Sequence, residues 1–305
     1  MRPASTKTPR HEIRMTIPMP QIVSASPEGI ATARTALLQG RLVAFPTETV
    51  YGLGADARNG EAVARIYEAK ARPSFNPLIV HVSGVAEAKA LCQWSDTAQL
   101  LADAFWPGPL SLVLPLCARH GLASLVTAGL ETVAIRVPAH PAARALLSAF
   151  GGPVAAPSAN PSGRISPTTA QHVSEGLGEK VSVVLDDGPC TVGLESTILG
   201  LANGPTLLRP GGVPAEKIEA VLSRALEKDH SDQITAPGQL SSHYAPGAPV
   251  RLNAATASSD EMLLGFGDMA CDINLSPRGD LVEAAANLFY ALHRLDATGR
   301  PIAVA

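Results

Sequence analysis

Residues 41–72 read RLVAFPTETVYGLGADARNGEAVARIYEAKAR, and the succession of patterns inside this stretch decides the fold. Residues 42–45 are a short apolar run that reads as a strand. Residues 61–70 carry Val63, Ile66, Tyr67 and Lys70 at helical spacing and stop before Pro73, so they read as a helix. A turn rich in hydroxyls and glycine joins the two. Outward from here the same alternation runs from Ile22 to about Leu226. Ser26-Pro27 opens the first helix as N-cap and N1, and Gly40 closes it. Further strands are predicted at 78–82, 111–114, 133–137, 154–156, 181–185, 197–199 and 206–208. Further helices are predicted at 97–105, 141–150, 168–177 and 215–227. Strands alternating with helices predict an α/β domain over 21–228.

Composition changes at both ends of that domain. Residues 1–20 are basic and Pro-rich without an apolar h-region, which predicts a disordered tail and no signal peptide, with Met15 and Met19 as alternative starts. Residues 229–249 are polar and rich in Gly, Pro, Ser and His, the make-up of a linker. A strand at 262–266, a helix at 280–295 and an apolar run at 301–305 then form one βαβ unit. That unit is too small to fold well alone, which predicts an incomplete C-terminal domain over 250–305.

A formal net charge of −3 excludes a protein that coats nucleic acid through bulk positive charge. Any anion site must be a local cluster. The cysteines, Cys92, Cys117, Cys190 and Cys271, are far apart and show neither CxxC nor zinc spacing, so they read as reduced thiols suited to the cytoplasm. No apolar run approaches the roughly 20 residues of a membrane span.

Several charged residues fall where apolar ones belong. Lys70 continues the apolar stripe of its helix; it either complements the helix dipole and snorkels outward, or reaches a ligand. Arg136 lies inside the apolar strand 133–137, where an unpaired guanidinium would cost several kcal/mol, so it needs a structural carboxylate or a ligand anion. His81 sits in the strand 78–82, Arg209 closes another strand, and Arg72 follows the helix. A lone strand histidine is more often a satisfied core residue. Four such groups at separate strands of one sheet favour a shared anion pocket, because ligands of α/β sheets gather beyond the carboxyl ends of strands. The segments 45–54 and 157–163 place Thr, Ser, Asn and Gly after strands. They suit phosphate and carboxylate oxygens, although the same residues also serve plain turns. Gly52-Leu53-Gly54-Ala55-Asp56-Ala57 matches a dinucleotide fingerprint, but no acidic strand end follows about twenty positions on. No P-loop and no GxSxG occur.

FPTETVYGLG (45–54), KAR (70–72) with NPLIVHV (76–82), WPGPLSLVL (106–114), TVAIRVPAHP (132–141), APSANPSGRISPT (156–168), ESTIL (195–199) and LLRPGG (207–212) resemble, in order and spacing, the YrdC-like family of threonylcarbamoyl-AMP synthases. APGQLSSHYAPGAP (236–249) is similar to the interdomain loop of its longer, two-domain members. The resemblance implies an open, twisted mixed sheet with flanking helices and a deep basic cavity, followed here by an incomplete Rossmann-like domain. It also implies an enzyme, a nucleotidyltransferase that joins ATP, L-threonine and bicarbonate or CO₂ into threonylcarbamoyl-AMP and pyrophosphate, with Mg²⁺ on the nucleotide. A tRNA threonylcarbamoyl transferase would take the product for tRNAs reading ANN codons, with at most weak tRNA contact by this chain. Lys70, Arg72, Ser158 and Asn160 match the KxR…SxN signature for ATP phosphates, and Lys70 and Arg72 are the expected catalytic pair. Asn76, Thr132, Ser166, Arg209 and Pro237 match further nucleotide positions. Thr49, His81, Arg136, Ala156 and Ser196 match those for L-threonine. His81 is the candidate acceptor of the amine proton. Pro237 and His243-Tyr244 are expected to close over the nucleotide. Glu48 and Glu195 are possible metal contributors or structural residues. Two rivals are a non-catalytic RNA-binding or ribosome-associated module and the carbamoyltransferase of hydrogenase maturation, whose Cys-rich zinc motifs do not occur in this sequence.

Overall fold

The computed structural model describes residues 19–228, 236–238 and 244–305. The tail to residue 18 and most of the predicted linker, with His243, lie outside the described residues. In the first part of the chain the strands are β1 (Gln21–Ser24), β2 (Val43–Phe45), β3 (Gly52–Asp56), β4 (Ile79–His81), β5 (Leu110–Pro115), β6 (Thr132–Arg136), β7 (Val154–Ala155), β8 (Val183–Asp186), β9 (Thr197–Gly200), β10 (Thr206–Arg209) and β11 (Glu227–Lys228). The helices are α1 (Pro27–Leu38), α2 (Gly60–Lys70), α3 (Val85–Leu91), α4 (Asp96–Phe105), α5 (Ser124–Thr127), α6 (Pro141–Phe150), α7 (Ala170–Leu177) and α8 (Ala215–Leu222). One mixed sheet runs β1-β8-β2-β3-β7-β4-β6-β5-β9-β10-β11.

Local chemistry sets the helix ends. The Asn59 side chain accepts from the N–H groups of Glu61 and Ala62 to start α2, and Ala71 ends it in the left-handed region at φ 49°. Pro141 opens α6 and Gly151 closes it at φ 70°. The predicted helix 215–227 is shorter than its periodicity suggested, because Ser223 turns left-handed at φ 51°.

Period-two alternation gives the sheet two covered faces. On one face Leu53, Ala55, Val80, Leu112 and Ile135 pack with Val63, Ile66 and Tyr67 of α2 and Leu101 of α4. On the other, Val43, Phe45, Val154 and Leu185 pack beneath α1 and α6. That second face changes character across β4, β6, β5 and β9. There Ile79, Ala134, Val113 and Ile198 are covered by Ala236 of the interdomain segment, with no helix in the cluster. This helix-free stretch is where the candidate site forms.

The sequence reading passed over β1, β3, α3, α5 and β11. Strand β3 reads GLGAD, with two glycines and no β-branched residue, so propensity argues against it. Gly54 is required by packing: a Cβ there would lie 2.8 Å from the Phe45 ring and 3.0 Å from Val154.

Beyond residue 244 the strands β12 (Val250–Arg251), β13 (Met262–Gly265), β14 (Ile273–Asn274) and β15 (Ile302–Val304) form a parallel sheet in the order β12-β15-β13-β14, with α9 (Leu281–Asp296) between β14 and β15. Two-residue strands such as β12 and β14 carry no readable period. Helix α9 packs Ala291 and Leu295 on Leu264 and Ile302 of its own sheet. Toward the large sheet, its Phe289 joins Val50 and Ile165. No described helix is long and apolar enough to cross a membrane.

The two parts also meet through imidazoles. His293 of α9 donates Nε2–H to the Ser166 carbonyl at 3.1 Å and stacks on His172 of α7, with ring centres 3.8 Å apart and 17° between planes. Burial pushes His172 down to about 4, helped by His293 beside it. Burial also lowers His293, against the opposing pull of the Ser166 carbonyl, Asp296 and Glu175. Both folded-state values lie below the ~6.5 of an unfolded histidine, so the unfolded chain takes up protons first as pH falls and stability is lost below that value. The melting temperature is expected to drop between pH 7 and pH 5, and His172→Phe should remove on the order of 1 kcal/mol of that dependence. A parent melting temperature that stays flat over this window would contradict the buried stack.

Candidate active site

Strand alternation decides which side chains face the helix-free stretch. Ile79 and His81 of β4 share one face, as do Ala134 and Arg136 of the parallel neighbour β6, and the register pairs Ile79 with Ala134 and His81 with Arg136. His81 and Arg136 each end their strand, so both stand at the carboxyl edge. β5 runs antiparallel to β6 and parallel to β9, which brings Leu110 and Thr197 to that same edge. Ser196 precedes β9 and Arg209 ends β10. One sheet edge therefore collects residues that are far apart in the chain.

The result is a narrow recess with room for about 30 Å³ of water-sized occupants. Arg72, Arg136 and Arg209 line it together with His81, Thr49, Ala156, Ser158 and Pro237, all expected from the sequence. Thr47, Val50, Gly52, Ile79, Pro157 and Glu195 complete the wall. The interdomain segment reaches the recess at Pro237, and the next residue, Gly238, has φ +96° and would place an added Cβ 2.5 Å from Arg209 Cδ. Tyr244 also lies there: burial raises its pKa, Glu195 raises it further, and Arg209 opposes both.

The cations are held unequally. Arg136 is buried; its Nη2 meets Glu48 Oε1 at 2.6 Å, Nη1 donates to Thr49 Oγ1 at 2.9 Å, and Nε to the Gly108 carbonyl at 3.2 Å. Arg209 donates Nε and Nη2 to the Ser196 carbonyl and Nη2 to Ser196 Oγ, with Glu195 Oε2 at 3.6 Å. Glu195 in turn accepts from Ser166 Oγ at 3.0 Å. Arg72 is held by neutral groups, Asn76 Oδ1 at 2.6 Å and the carbonyls of Asn76 and Pro77. Burial, with Arg209 nearby, lowers its pKa to about 10. Glu48 and Glu195, left open by the sequence, are thus partners of arginines.

Lys70 has a different placement from its neighbours in the signature. Its ammonium donates to the carbonyls of Ser158 and Asn160, each at 2.5 Å, and it does not line the recess. Burial, with Arg72 close by, drives its pKa well below the ordinary lysine value. It clamps the loop that carries Ser158 and Asn160. Asn76, Asn160, Ser166 and Ser196 are buried behind the wall. Thr132 begins the strand that Arg136 ends, about 13 Å along it by strand rise, and pairs with Pro115 instead of lining the recess.

Among the described residues, four buried side-chain polar atoms have no hydrogen-bond partner, and three belong to residues singled out from the sequence. These are Asn76 Nδ2, His81 Nδ1 and Asn160 Oδ1. Asn160 gives its Nδ2 protons to the Pro161 and Arg164 carbonyls, which fixes the free atom as oxygen. Native proteins seldom leave such atoms unmet except where a ligand or water will meet them. Mg²⁺ is a poor fit to the protein side chains: both nearby carboxylates are engaged by arginines, and no cluster of three metal-binding side chains occurs among the described residues.

Residues 35–211 match the family described as Telomere recombination, the Sua5/YciO/YrdC group, and residues 213–305 match the threonylcarbamoyl-AMP synthase C-terminal domain. The chain belongs to the threonylcarbamoyl-AMP synthase family. The curated threonylcarbamoyl-AMP synthase of Bacillus subtilis is 49% identical over 236 residues, 75% of this chain and 68% of its own length. That of Pyrococcus abyssi is 41% identical over 301 residues, 90% of this chain and 88% of its own. The crystal structure of P. abyssi Sua5 complexed with L-threonine superposes with a TM-score of 0.83 at 37% identity, covering 93% of this chain and 91% of that one. As a member of this family of ATP-using adenylate-forming enzymes, the chain is an enzyme, and its C-terminal sheet is part of the family's architecture.

The clamp is testable apart from catalysis. Lys70→Met keeps the volume but leaves two buried carbonyls unmet, and is expected to lower stability by about 2–4 kcal/mol in denaturant unfolding. Arg72→Ala should cost less than Lys70→Met, because Arg72 lines the recess and water can meet the acceptors it leaves. A Lys70→Met chain as stable as the parent would contradict the clamp.

Proposed function

We propose that the recess condenses L-threonine, bicarbonate or CO₂ and ATP into threonylcarbamoyl-AMP and pyrophosphate, for the threonylcarbamoyladenosine of tRNAs reading ANN codons. The observation that carries this reading is the convergence of Arg72, Arg136 and Arg209 on one recess beside unmet polar atoms of Asn76, His81 and Asn160. In this reading Arg136, Thr49, His81 and Ala156 take the amino acid, with its carboxylate on the guanidinium, and Ser196 supports them through Arg209. Arg72, Arg209 and Ser158 take the phosphates, with Lys70, Asn76, Asn160 and Ser166 behind them and Pro237 above. An Mg²⁺ ion belongs to the nucleotide's own phosphates.

The amine adds to CO₂ and gives up a proton to water, leaving a carbamate. A carbamate oxygen then attacks the α-phosphorus as the bond to the bridging oxygen breaks, and pyrophosphate leaves with that electron pair. No protein nucleophile takes part; the chain supplies positioning and fixed charge. His81 is not suited to store the amine proton. Burial, with the Arg136 charge beside it, pushes His81 down to about 3, so it remains a neutral hydrogen-bonding ring. The product is of the kind a tRNA threonylcarbamoyl transferase would consume.

The test is pyrophosphate release with ATP, L-threonine and bicarbonate. Release is expected only with all three present. Arg136→Ala should weaken kcat/KM for threonine on the order of 100-fold, and Arg72→Ala should act mainly through ATP. Salt-sensitive RNA binding without threonine-dependent turnover would instead favour a non-catalytic module.

A further inference from the structure

The three guanidiniums of the recess form a gradient of neutralisation. Glu48 touches Arg136 at 2.6 Å, Glu195 stands 3.6 Å from Arg209, and Arg72 is held by amide oxygens. The carboxylate that stabilises buried Arg136 also cancels the charge that would draw an anion to this end of the recess.

Arg136 and Glu48 are also fixed in orientation. Thr47 gives its single hydroxyl proton to the Val50 carbonyl at 2.6 Å, so in the 2.8 Å contact with Thr49 the donor is Thr49. Thr49 therefore meets Arg136 as an acceptor. Glu48 Oε2 accepts from the Ala139 N–H at 2.9 Å, and its backbone carbonyl accepts from Val192 N–H at 2.7 Å. Of the five guanidinium N–H groups, one on each nitrogen is spent on protein, which leaves one on each terminal nitrogen. Burial would raise the Glu48 pKa, but the charge and hydrogen bond of Arg136 and the Ala139 N–H hold it below the ordinary value.

We propose that Glu48 is a positioning and specificity-determining residue: it presets Arg136 and cancels its charge, so that this end of the recess takes an amino-acid monocarboxylate and refuses phosphate. A nearly neutral pair offering two N–H groups suits a zwitterion, whose carboxylate comes with its own compensating charge. A phosphate dianion gains little there and meets the Glu48 carboxylate at close range. The triphosphate is thereby directed to Arg72 and Arg209. The proposal rests on the reading of Arg136 as the amino-acid end of a threonine- and ATP-using site.

The experiment measures inorganic phosphate as an inhibitor of pyrophosphate release against each substrate, in the parent chain, Glu48→Gln and Glu48→Asp. In the parent, phosphate is expected to compete with ATP and not with L-threonine. In Glu48→Gln, which keeps an oxygen for Arg136 but no charge, phosphate should also compete with L-threonine, at least about tenfold more strongly than in the parent, while KM for ATP stays within about twofold. Glu48→Asp keeps the charge and should keep phosphate out, whatever it loses in threonine KM through its shorter reach. A purely structural Glu48 would alter melting temperature and kcat without changing which substrate phosphate opposes. If Glu48→Gln does not fold, phosphate competing with L-threonine in the parent, or in Glu48→Asp, still overturns the proposal. A parent with no threonine-dependent turnover overturns the underlying reading and this one with it. An active parent with equal phosphate behaviour in Glu48→Gln overturns this one alone.

Discussion

Bringing three guanidiniums into one low-dielectric recess is the constraint on which the rest of the structure depends. Like charges at such range raise each other's energy, and burial strips the water that would screen them. The fall of Arg72 to about 10 records that cost, with burial the larger cause and Arg209 a further one. The protein meets it with fixed oxygens: Glu48, Thr49 and Gly108 around Arg136, Ser196 and Glu195 around Arg209, and Asn76 and Pro77 around Arg72. Each arginine is held in place before any ligand arrives, which spares a ligand the ordering cost of a flexible side chain.

Those oxygens are available because of the sheet. Parallel pairing of β4 with β6, antiparallel pairing of β6 with β5, and parallel pairing of β5 with β9 bring four strand ends to one edge. Helices cover the sheet elsewhere, but over this stretch the cover is Ala236 from the interdomain segment. The lid of the site is therefore drawn from the connection between the two sheets. Helix α9 then braces the back of the wall, with Phe289 on Val50 and His293 on the Ser166 carbonyl. Ser166 also donates to Glu195, so one residue joins the C-terminal packing to the partner of Arg209.

Much of this was legible in the sequence. An arginine between Ile135 and Val137 demands an anion, and that demand alone marked Arg136; both answers, a carboxylate and a ligand-facing edge, have a counterpart in the structure. Helical spacing likewise set Lys70 on the apolar stripe of its helix, but left open whether it snorkels outward or reaches a ligand; the structure buries it. What spacing could not show is the target of the ammonium, because the carbonyls of Ser158 and Asn160 lie 88 and 90 residues on and backbone oxygens leave no trace in composition. Strand β3 was hidden for a related reason: its Gly54 answers to Phe45 and Val154 across the sheet, not to local preference. Thr132 was included through family resemblance, and only the strand geometry separates it from Arg136 along β6.

The most direct test of the central claim is a crystal structure of the chain with L-threonine and a non-hydrolysable ATP analogue. The account predicts the threonine carboxylate on the two free N–H groups of Arg136, with the Glu48 contact kept, and the phosphates between Arg72 and Arg209. Phosphates on Arg136, or a nucleotide outside the recess altogether, would contradict it.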